Sequence, residues 1–220
     1  MKPLAAIAIA LMLGGCASGG SSDYAQYFRA VRQGVAASFG GGGRVTRTQA
    51  AAVPFASMAY QVEKGPQQIL VLATDANGEQ LWTSAAHIVL ATRDGRLVRS
   101  VGLAHDLSSR GAATSGALPP VSAALTAPFA SSQMEDFPDM GAFGVRVNCN
   151  TRYQSRQMLT LLGTPVSTLR VDEKCAAPSL NWNFTDTYWL DAETGQVWRS
   201  IQHVHPKAGR IGLQILRQPG

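Results

Sequence analysis

An irregular pattern recurs in this chain at a fixed separation of 100 residues, and it constrains the fold more than any other feature of the sequence. The recurring residues are identical in type: Trp82, Leu90, Gly95, Arg99, Ser100 and His105 return as Trp182, Leu190, Gly195, Arg199, Ser200 and His205. A fixed offset of this kind is typical of a duplicated structural unit. We therefore expect one domain with an internal repeat, at about residues 55–105 and 143–216.

Both units have the pattern of short antiparallel strands. Runs rich in β-branched and aromatic residues are separated by turn residues such as Asn77-Gly78 and Asp94-Gly95, which accept the positive φ of tight hairpins. We predict a mainly β fold of antiparallel sheets, built from two related β-meander units in a sandwich or barrel-like arrangement. The predicted strands are 55–62, 68–74, 81–84, 87–92, 97–103, 143–149, 159–162, 167–171, 180–184, 187–190, 197–203 and 211–216.

The remaining segments predict little helix. A short N-terminal helix is expected after Ser22 and Asp23, which are candidate caps, with Tyr24, Phe28, Val31 and Val35 on one face. Residues 48–53 predict one helical turn that ends at Pro54. Residues 104–139 lose the strand pattern and predict a partly ordered excursion with a short helix at 121–125.

The amino terminus resembles the export signal of a bacterial lipoprotein. An apolar run from Leu4 to Leu13 follows Lys2 and has the length of a signal-peptide core, too short to span a bilayer. It leads into Leu13-Gly14-Gly15-Cys16, which is similar to a lipobox. The resemblance implies removal of residues 1–15 and lipidation of Cys16, whereas an ordinary secretory signal with an incidental cysteine is the alternative.

The residues after the cysteine suggest where the protein resides. Ala17 follows Cys16, and in Gram-negative lipoproteins this implies sorting to the outer membrane, where acyl chains give a stable anchor. Residues 16–22 are small and polar and predict a flexible tether. Residues 23–220 then form a single domain, which we expect to face the periplasm.

Two cysteines remain besides the one assigned to lipid. Cys149 and Cys175 are the only other pair, and an oxidising compartment favours a disulfide between them. The net charge of +5 argues against a nucleic-acid partner for a periplasmic protein. It argues only weakly for anionic partners such as acidic polysaccharide or lipid headgroups, and a solubilising surface charge is the simpler explanation.

Four residues of the repeat are candidate contacts for an anion or a polysaccharide. Arg99 and Arg199 lie between apolar residues at i±2, so alternation places each arginine on an otherwise apolar face. Each guanidinium either pairs with a carboxylate, carbonyl or indole of the fold, or binds an anionic group of a ligand. Trp182 and Trp198 offer faces for sugar stacking, with packing in the sheet as the alternative.

Catalytic and metal-binding patterns are weak. His203 and His205 share a face of one strand but lack an obvious third ligand, so we expect neither a metal nor another cofactor. Asp186, Asp191 and Glu193 cluster before Gly195, and turn-forming or solvated roles suit them better than acid-base catalysis. Motifs of serine hydrolases, phosphate loops and dinucleotide sites are missing from the sequence. We therefore expect a protein that is not an enzyme.

The order of several fragments resembles the YjbF/GfcB family of lipoproteins. The fragments that carry the resemblance are Pro54 to Ser57, Gln68 to Ala73, Leu81 to Ser84, Gly95 to Leu103 and Tyr188 to Gln202. The resemblance implies an outer-membrane lipoprotein that serves the production and export of exopolysaccharide or group 4 capsule. It also implies partners among envelope polysaccharide-export proteins.

Three functions are compatible with the sequence. The first is a non-enzymatic accessory factor in exopolysaccharide or capsule assembly and secretion. The second is a periplasmic carrier that holds a lipid or glycolipid on a concave apolar sheet, and the third is a polysaccharide-modifying hydrolase.

Overall fold

The computed structural model describes residues 43–114 and 117–219. Among these residues, one α-helix, α1 (Arg47–Ala51), precedes the strands, and short 3₁₀ turns occur at Val121–Leu125, Pro138–Met140 and Pro178–Leu180. The strands are β1 (Ser57–Val62), β2 (Gln68–Ala76), β3 (Glu79–Thr83), β4 (Val89–Arg93), β5 (Arg96–Val101), β6 (Ser109–Ala112), β7 (Phe129–Phe137), β8 (Ala142–Leu161), β9 (Thr164–Ala177), β10 (Trp182–Asp191), β11 (Val197–Gln202) and β12 (Ile211–Arg217).

All twelve strands belong to one antiparallel sheet. Strands that follow each other in the chain pair, except β5 and β6, and β1 also pairs with β12, so the order runs β5-β4-β3-β2-β1-β12-β11-β10-β9-β8-β7-β6. The two ends of this order approach each other, because the Ser100 amide donates to the Leu107 carbonyl beside β6 at 2.8 Å. The mainly β, antiparallel class is confirmed, and the sheet is nearly closed and barrel-like.

Alternation along the strands produces the core. On β8, Val145, Val147, Cys149 and Thr151 are buried, whereas the residues between them are exposed. One side of β8 therefore faces the interior and the other faces solvent. Strands β1 and β10 are instead buried on both sides over four and five consecutive residues. The main core contains Trp82, Leu90, Leu97, Phe137 and Leu213 among its members.

The predicted disulfide is confirmed and lies in this core. Cys149 and Cys175 are directly opposite each other on β8 and β9, and their sulfurs are bonded. The pair therefore links two strands that the backbone ladder already holds together. Lipidation of Cys16 and the N-terminal helix predicted after Ser22 concern residues outside the described part of the chain.

The prediction for residues 104–139 requires correction. The segment contains two strands, β6 and β7, and the helix expected at 121–125 is a 3₁₀ helix with those bounds. Arg110 opposes Glu135 in the ladder between β6 and β7. Sequence periodicity does not reveal β6, because its four residues are too few to show alternation.

The predicted strand boundaries in the second unit also change. The strands expected at 143–149 and 159–162 are parts of the single strand β8, which pairs with β9 as far as Leu161. The strands expected at 180–184 and 187–190 merge into β10 after the 3₁₀ turn Pro178–Leu180. Polar residues inside both strands interrupt the apolar pattern, whereas the backbone pairing continues through them, with one register shift between Tyr153 and Ser155 in β8.

The two copies of the repeat agree in one hairpin and differ elsewhere. Arg99 pairs with Ala91, and Arg199 pairs with Trp189, two residues earlier than an exact repeat would place its partner. A shift of two residues preserves which side chains face the core. In both hairpins the residue before the arginine is unpaired, so Val98 and Trp198 form a bulge at the same position.

The bulge also corrects the prediction for the face of Arg99. Alternation from Leu97 placed Arg99 on an apolar face, but Leu97 is buried whereas Arg99 and Val101 are exposed. A bulge inserts one residue and reverses the alternation beyond it. The guanidinium of Arg99 therefore lies on the outer surface.

Candidate functional site

A cleft of about 390 Å³ lies where the two hairpins of the repeat approach each other. Side chains of β3, β11 and β12 line it, together with Ser122 from the 3₁₀ helix. The hairpin turns are in close contact, since a Cβ atom at Gly95 would lie 2.5 Å from Cβ of Val197. The volume falls within the range of small-molecule sites, roughly 300–1,000 Å³.

Trp198 is the aromatic side chain that the bulge of β11 brings to this cleft. Its indole Nε1 donates to Oδ2 of Asp191 at 3.2 Å. Asp191 also accepts from the backbone amides of Thr194 and Glu193, each at 2.9 Å. These two amides and then the indole hold the pKa of Asp191 at about 2, so the carboxylate stays charged and fixes the indole near neutral pH.

Amide and hydroxyl groups supply most of the other polar atoms of the cleft. The contributing side chains include Gln80, Thr92, Ser122, Thr194, Gln196 and Gln214. Trp82 lies at the base, where its Nε1 donates to Thr92 Oγ1 at 3.0 Å. Asp75, Asp94 and Arg199 add charged groups to the lining. A half-buried indole beside such donors and acceptors matches the surface of a sugar, which has apolar ring faces and hydroxyl edges.

The structure brings together two of the four predicted contact residues. Arg199 lines the cleft beside Trp198, and its guanidinium carbon lies 5.4 Å from the ring centre of Trp189. Arg99 lies outside the cleft and forms an ion pair with Glu79 at 2.6 Å. Trp182 packs against Phe137 and Phe184 in the core.

His203 and His205 were predicted to share one face of a strand, but in the structure they have different partners. Nδ1 of His203 lies 3.0 Å from Oδ1 of Asp186. His205 stacks on His105, its counterpart in the repeat, with ring centres 4.8 Å apart. The carboxylate of Asp139 bridges the edges of the two rings, 2.8 Å from Nδ1 of His105 and 2.9 Å from Nε2 of His205.

The cluster of His105, Asp139 and His205 places three metal-ligand types within 4.8 Å of one another. The backbone amide of Lys207, however, donates to Nδ1 of His205 at 3.0 Å. Neutral His205 therefore carries its proton on Nε2 and donates it to Asp139, so Nε2 has no free lone pair for a metal. The lone pair on Nδ1 is occupied by the Lys207 amide. In this arrangement the cluster is a hydrogen-bonded brace between the two repeats.

Ion pairs that the sequence analysis missed occupy the interior. Arg96 on β5 binds Glu173 on β9 at 2.7 Å, and Arg110 on β6 binds Glu135 on β7 at 2.7 Å. All four side chains are at most 3% exposed. Sequence separation hides these pairs, because Arg96 and Glu173 are 77 residues apart.

Asp186 adds a third carboxyl group to this interior. Its Oδ2 lies 4.0 Å from Nη1 of Arg110, and burial raises the pKa of both Asp186 and Glu135. Burial also opposes the charge of Glu173, but the charge and hydrogen bond of Arg96 outweigh it and lower the pKa of Glu173. These carboxyl groups face one another and the arginines, so they are poorly placed to act on a polymer outside.

Within the part of the chain that the structure describes, we find no helix with the length and apolar character of a transmembrane span.

Comparison with known proteins identifies the family. A family model described as "Group 4 capsule polysaccharide lipoprotein gfcB, YjbF" matches residues 36–216. The uncharacterized lipoprotein YjbF of Escherichia coli strain K12 is 27% identical over 167 residues, which are 69% of this chain and 70% of that protein. The crystal structure of the hypothetical lipoprotein YmcC from Escherichia coli K12 has the same fold, with a TM-score of 0.70 and 20% identity over 88% of this chain and 95% of that one. This chain therefore belongs to the YjbF/GfcB family of group 4 capsule polysaccharide lipoproteins.

Proposed function

We propose that the protein is a non-enzymatic accessory factor in the assembly or secretion of an exopolysaccharide or capsule. In this proposal a lipid on Cys16 anchors it to the outer membrane, and the domain faces the periplasm. There it holds the polymer for envelope polysaccharide-export proteins. The observation that carries the proposal is the cleft beside Trp198, which offers an indole and several neutral hydrogen-bonding side chains in a member of a capsule lipoprotein family.

The interior of the sheet favours this function over the alternatives. A lipid carrier needs an apolar cavity for acyl chains, whereas here buried ion pairs such as Arg96–Glu173 and Arg110–Glu135 occupy the interior. A glycosidase needs two carboxyl groups on either side of a bound sugar. Glu173 and Glu135 are instead buried against arginines, and Asp191 is held by its own loop.

A genetic experiment tests the accessory role. We expect deletion of the gene to reduce the polysaccharide at the cell surface while the cell still synthesises the polymer. The wild-type gene should restore surface polysaccharide, and Cys16→Ser should fail to restore it because the protein loses its anchor. Normal surface polysaccharide in the deletion strain would overturn the proposal.

A binding experiment tests the cleft. The purified lipoprotein in detergent micelles should retain the strain's own polysaccharide in a pull-down, and the recovered polymer should keep its chain length. Trp198→Ala should reduce retention several-fold, up to about tenfold, the scale expected for the loss of one stacking contact. Tyr153→Ala is the matched control, because Tyr153 is an exposed aromatic residue on β8 outside the cleft. Equal loss in both variants, or a shortened polymer, would contradict the proposal.

A further inference from the structure

A second cavity, of about 310 Å³, adjoins the cleft and is lined by arginines. It lies between α1 and the residues just before it, the tip of the β8–β9 hairpin, and strands β11 and β12. Arg44, Arg47 and Arg199 contribute to its lining, and the described residues that line it include no aspartate or glutamate. Its other polar groups are neutral amides and hydroxyls. The cavity therefore has a concentrated positive charge that its own walls do not neutralise.

The three arginines have different roles. Arg47 is held in place, because its Nε and Nη2 donate to the carbonyl oxygen of Leu162 at 3.1 and 2.9 Å, and Nη2 also donates to Oγ1 of Thr164 at 2.7 Å. The guanidinium of Arg199 lies over the ring of Trp189 and makes no hydrogen bond or ion pair with another described side chain. The N–H groups of Arg199 are thus left for a partner from outside the described chain.

Arg44 and Arg199 are close enough for their charges to interact. Burial of Arg199 and then the charge of Arg44 lower the pKa of Arg199. Within residues 43–114 and 117–219, Arg44 has no carboxylate partner either. Two like charges beside one cavity repel each other, and a bound anion would relieve that repulsion.

We propose that this cavity binds an anionic group, a carboxylate or phosphate carried by the polysaccharide, through Arg44 and Arg199. The inference rests on the proposed function and names the chemical class of its polymer. Arg199 and Gln214 line both the cavity and the cleft. One saccharide chain can therefore place a charged substituent against the arginines while a neighbouring ring packs on Trp198.

The experiment compares two forms of one polymer. Oligogalacturonate and its methyl ester have the same sugar backbone and differ in the charge of the carboxyl groups. We expect the full-length lipoprotein, in detergent micelles, to bind the acid at least about tenfold more tightly than the ester at low ionic strength. The preference should shrink as salt is added, because the interaction is partly exposed and screened. Inorganic phosphate should compete with the acid and leave binding of the ester unchanged.

Single substitutions test which arginines cause the preference for the acid over the ester. Arg44→Gln should remove most of the preference for the acid while leaving binding of the ester within about twofold, because Arg44 lines the cavity and not the cleft. Arg199→Gln should also remove most of the preference, and because Arg199 lines the cleft as well, it should weaken binding of the ester too. Arg99→Gln is the matched control, since Arg99 belongs to the same repeat and is paired with Glu79 elsewhere on the surface. Circular dichroism of each variant checks that the fold is retained.

The outcomes separate this inference from the proposed function. Equal binding of acid and ester, or a preference that survives in both arginine variants, would overturn the anion site and leave the polymer cleft standing. Retention of neither form, together with no retention of the strain's own polysaccharide, would overturn both. Binding to vesicles containing phosphatidylglycerol that depends on Arg44 and Arg199, without discrimination between acid and ester, would assign the cavity to membrane lipid and overturn the saccharide proposal.

Discussion

At the scale of single residues, the most informative arrangement is the brace of His105, Asp139 and His205. The histidines occupy equivalent positions in the repeat and stack on each other, and one carboxylate holds both. His205 is fully buried against Phe137, whereas His105 and Asp139 are partly exposed. The brace therefore ties the segment after β5 to the segment after β11.

The brace predicts a loss of stability as the pH falls. Burial lowers the pKa of His205 from its ordinary value of about 6.5. The hydrogen bond and charge of Asp139 raise this pKa, whereas the charges of His105 and Lys207 lower it, and the net shift is downward. Between the folded pKa and about 6.5 the unfolded chain binds more protons, so stability rises with pH there. The contribution is complete above about pH 6.5 and decreases below it, by at most about 1.4 kcal/mol per pH unit.

Urea denaturation at pH 7.5 and 5.5 measures this effect. His205→Asn should lower stability at pH 7.5 and reduce the difference between the two pH values. His87→Asn is the control, because His87 is an exposed residue at positive φ, which asparagine tolerates. An unchanged pH dependence in His205→Asn would show that other groups cause it.

At the scale of elements, the hairpin that carries the arginine is the part of the repeat that both copies share. Each copy has a glycine at positive φ in the turn, a bulge at the residue before the arginine, and a buried serine after the arginine. Trp82 and Trp182, in contrast, do not occupy equivalent positions in the two copies. Trp82 lies on β3, opposite Leu90 of β4, whereas Trp182 and Leu190 lie on the single strand β10.

The turn at Gly95 predicts a packing penalty that a similar turn lacks. Gly95 and Gly78 have φ values of +76° and +74°, so alanine should cost both turns roughly 1 kcal/mol of backbone strain. Only at Gly95 would the new Cβ meet Val197, at 2.5 Å, whereas at Gly78 it meets nothing within 4 Å. We expect Gly95→Ala to lose about 1–3 kcal/mol more than Gly78→Ala, as overpacking usually costs.

Urea denaturation of the two glycine variants tests that difference. The comparison isolates packing because both residues occupy two-residue hairpin turns of the same kind. Equal losses would mean that the contact between the β4–β5 turn and β11 contributes little to stability. A smaller loss of stability in Gly95→Ala than in Gly78→Ala would contradict the close contact between Gly95 and Val197.

At the scale of the whole molecule, polar side chains in the interior connect opposite parts of the sheet. Arg96 and Glu173 join β5 to β9, and the buried Gln202 of β11 accepts from the Leu97 amide and donates to the Gly95 carbonyl. Arg110 adds a bond to the Leu97 carbonyl at 3.1 Å. These bonds hold β5 in place beside the gap between β5 and β6, where the backbone ladder is incomplete.

The buried pair predicts a large effect when one partner is removed. Arg96→Met leaves Glu173 buried without its guanidinium, so we expect a loss of roughly 3–5 kcal/mol. Replacing both partners, Arg96→Met with Glu173→Leu, should recover much of this loss because no unpaired charge remains. Denaturation by urea at pH 7.5 measures all of these free energies.

Arg99→Met is the matched control for that experiment. Arg99 is the other arginine of β5 and forms a surface pair with Glu79, at 50% side-chain exposure. A surface pair of this kind contributes roughly 0–1 kcal/mol, because solvent screens it. Equal losses of unfolding free energy in Arg96→Met and Arg99→Met would show that the buried pair Arg96–Glu173 stabilises the fold no more than the surface pair does.

Much of the fold follows from local sequence, and much of the site does not. The turns at Asn77-Gly78 and Asp94-Gly95 and the pairing of Cys149 with Cys175 are confirmed, because short-range backbone preference and the scarcity of cysteine determine them. The strands of residues 104–139 were missed, since their pairing depends on distant neighbours. Of the predicted contact residues, Arg199 and Trp198 share a cleft that sequence alone does not reveal.

The sequence by itself determined the secondary-structure class, the main hairpins, the disulfide and the family resemblance, because each depends on local pattern or on the order of fragments. The tertiary structure decided which charges meet. Closing twelve strands into one sheet brings Arg96 to Glu173 and His105 to His205, and a one-residue bulge moves Arg99 to the outer surface. Strand register sets these contacts, and register depends on pairing between segments far apart in the chain.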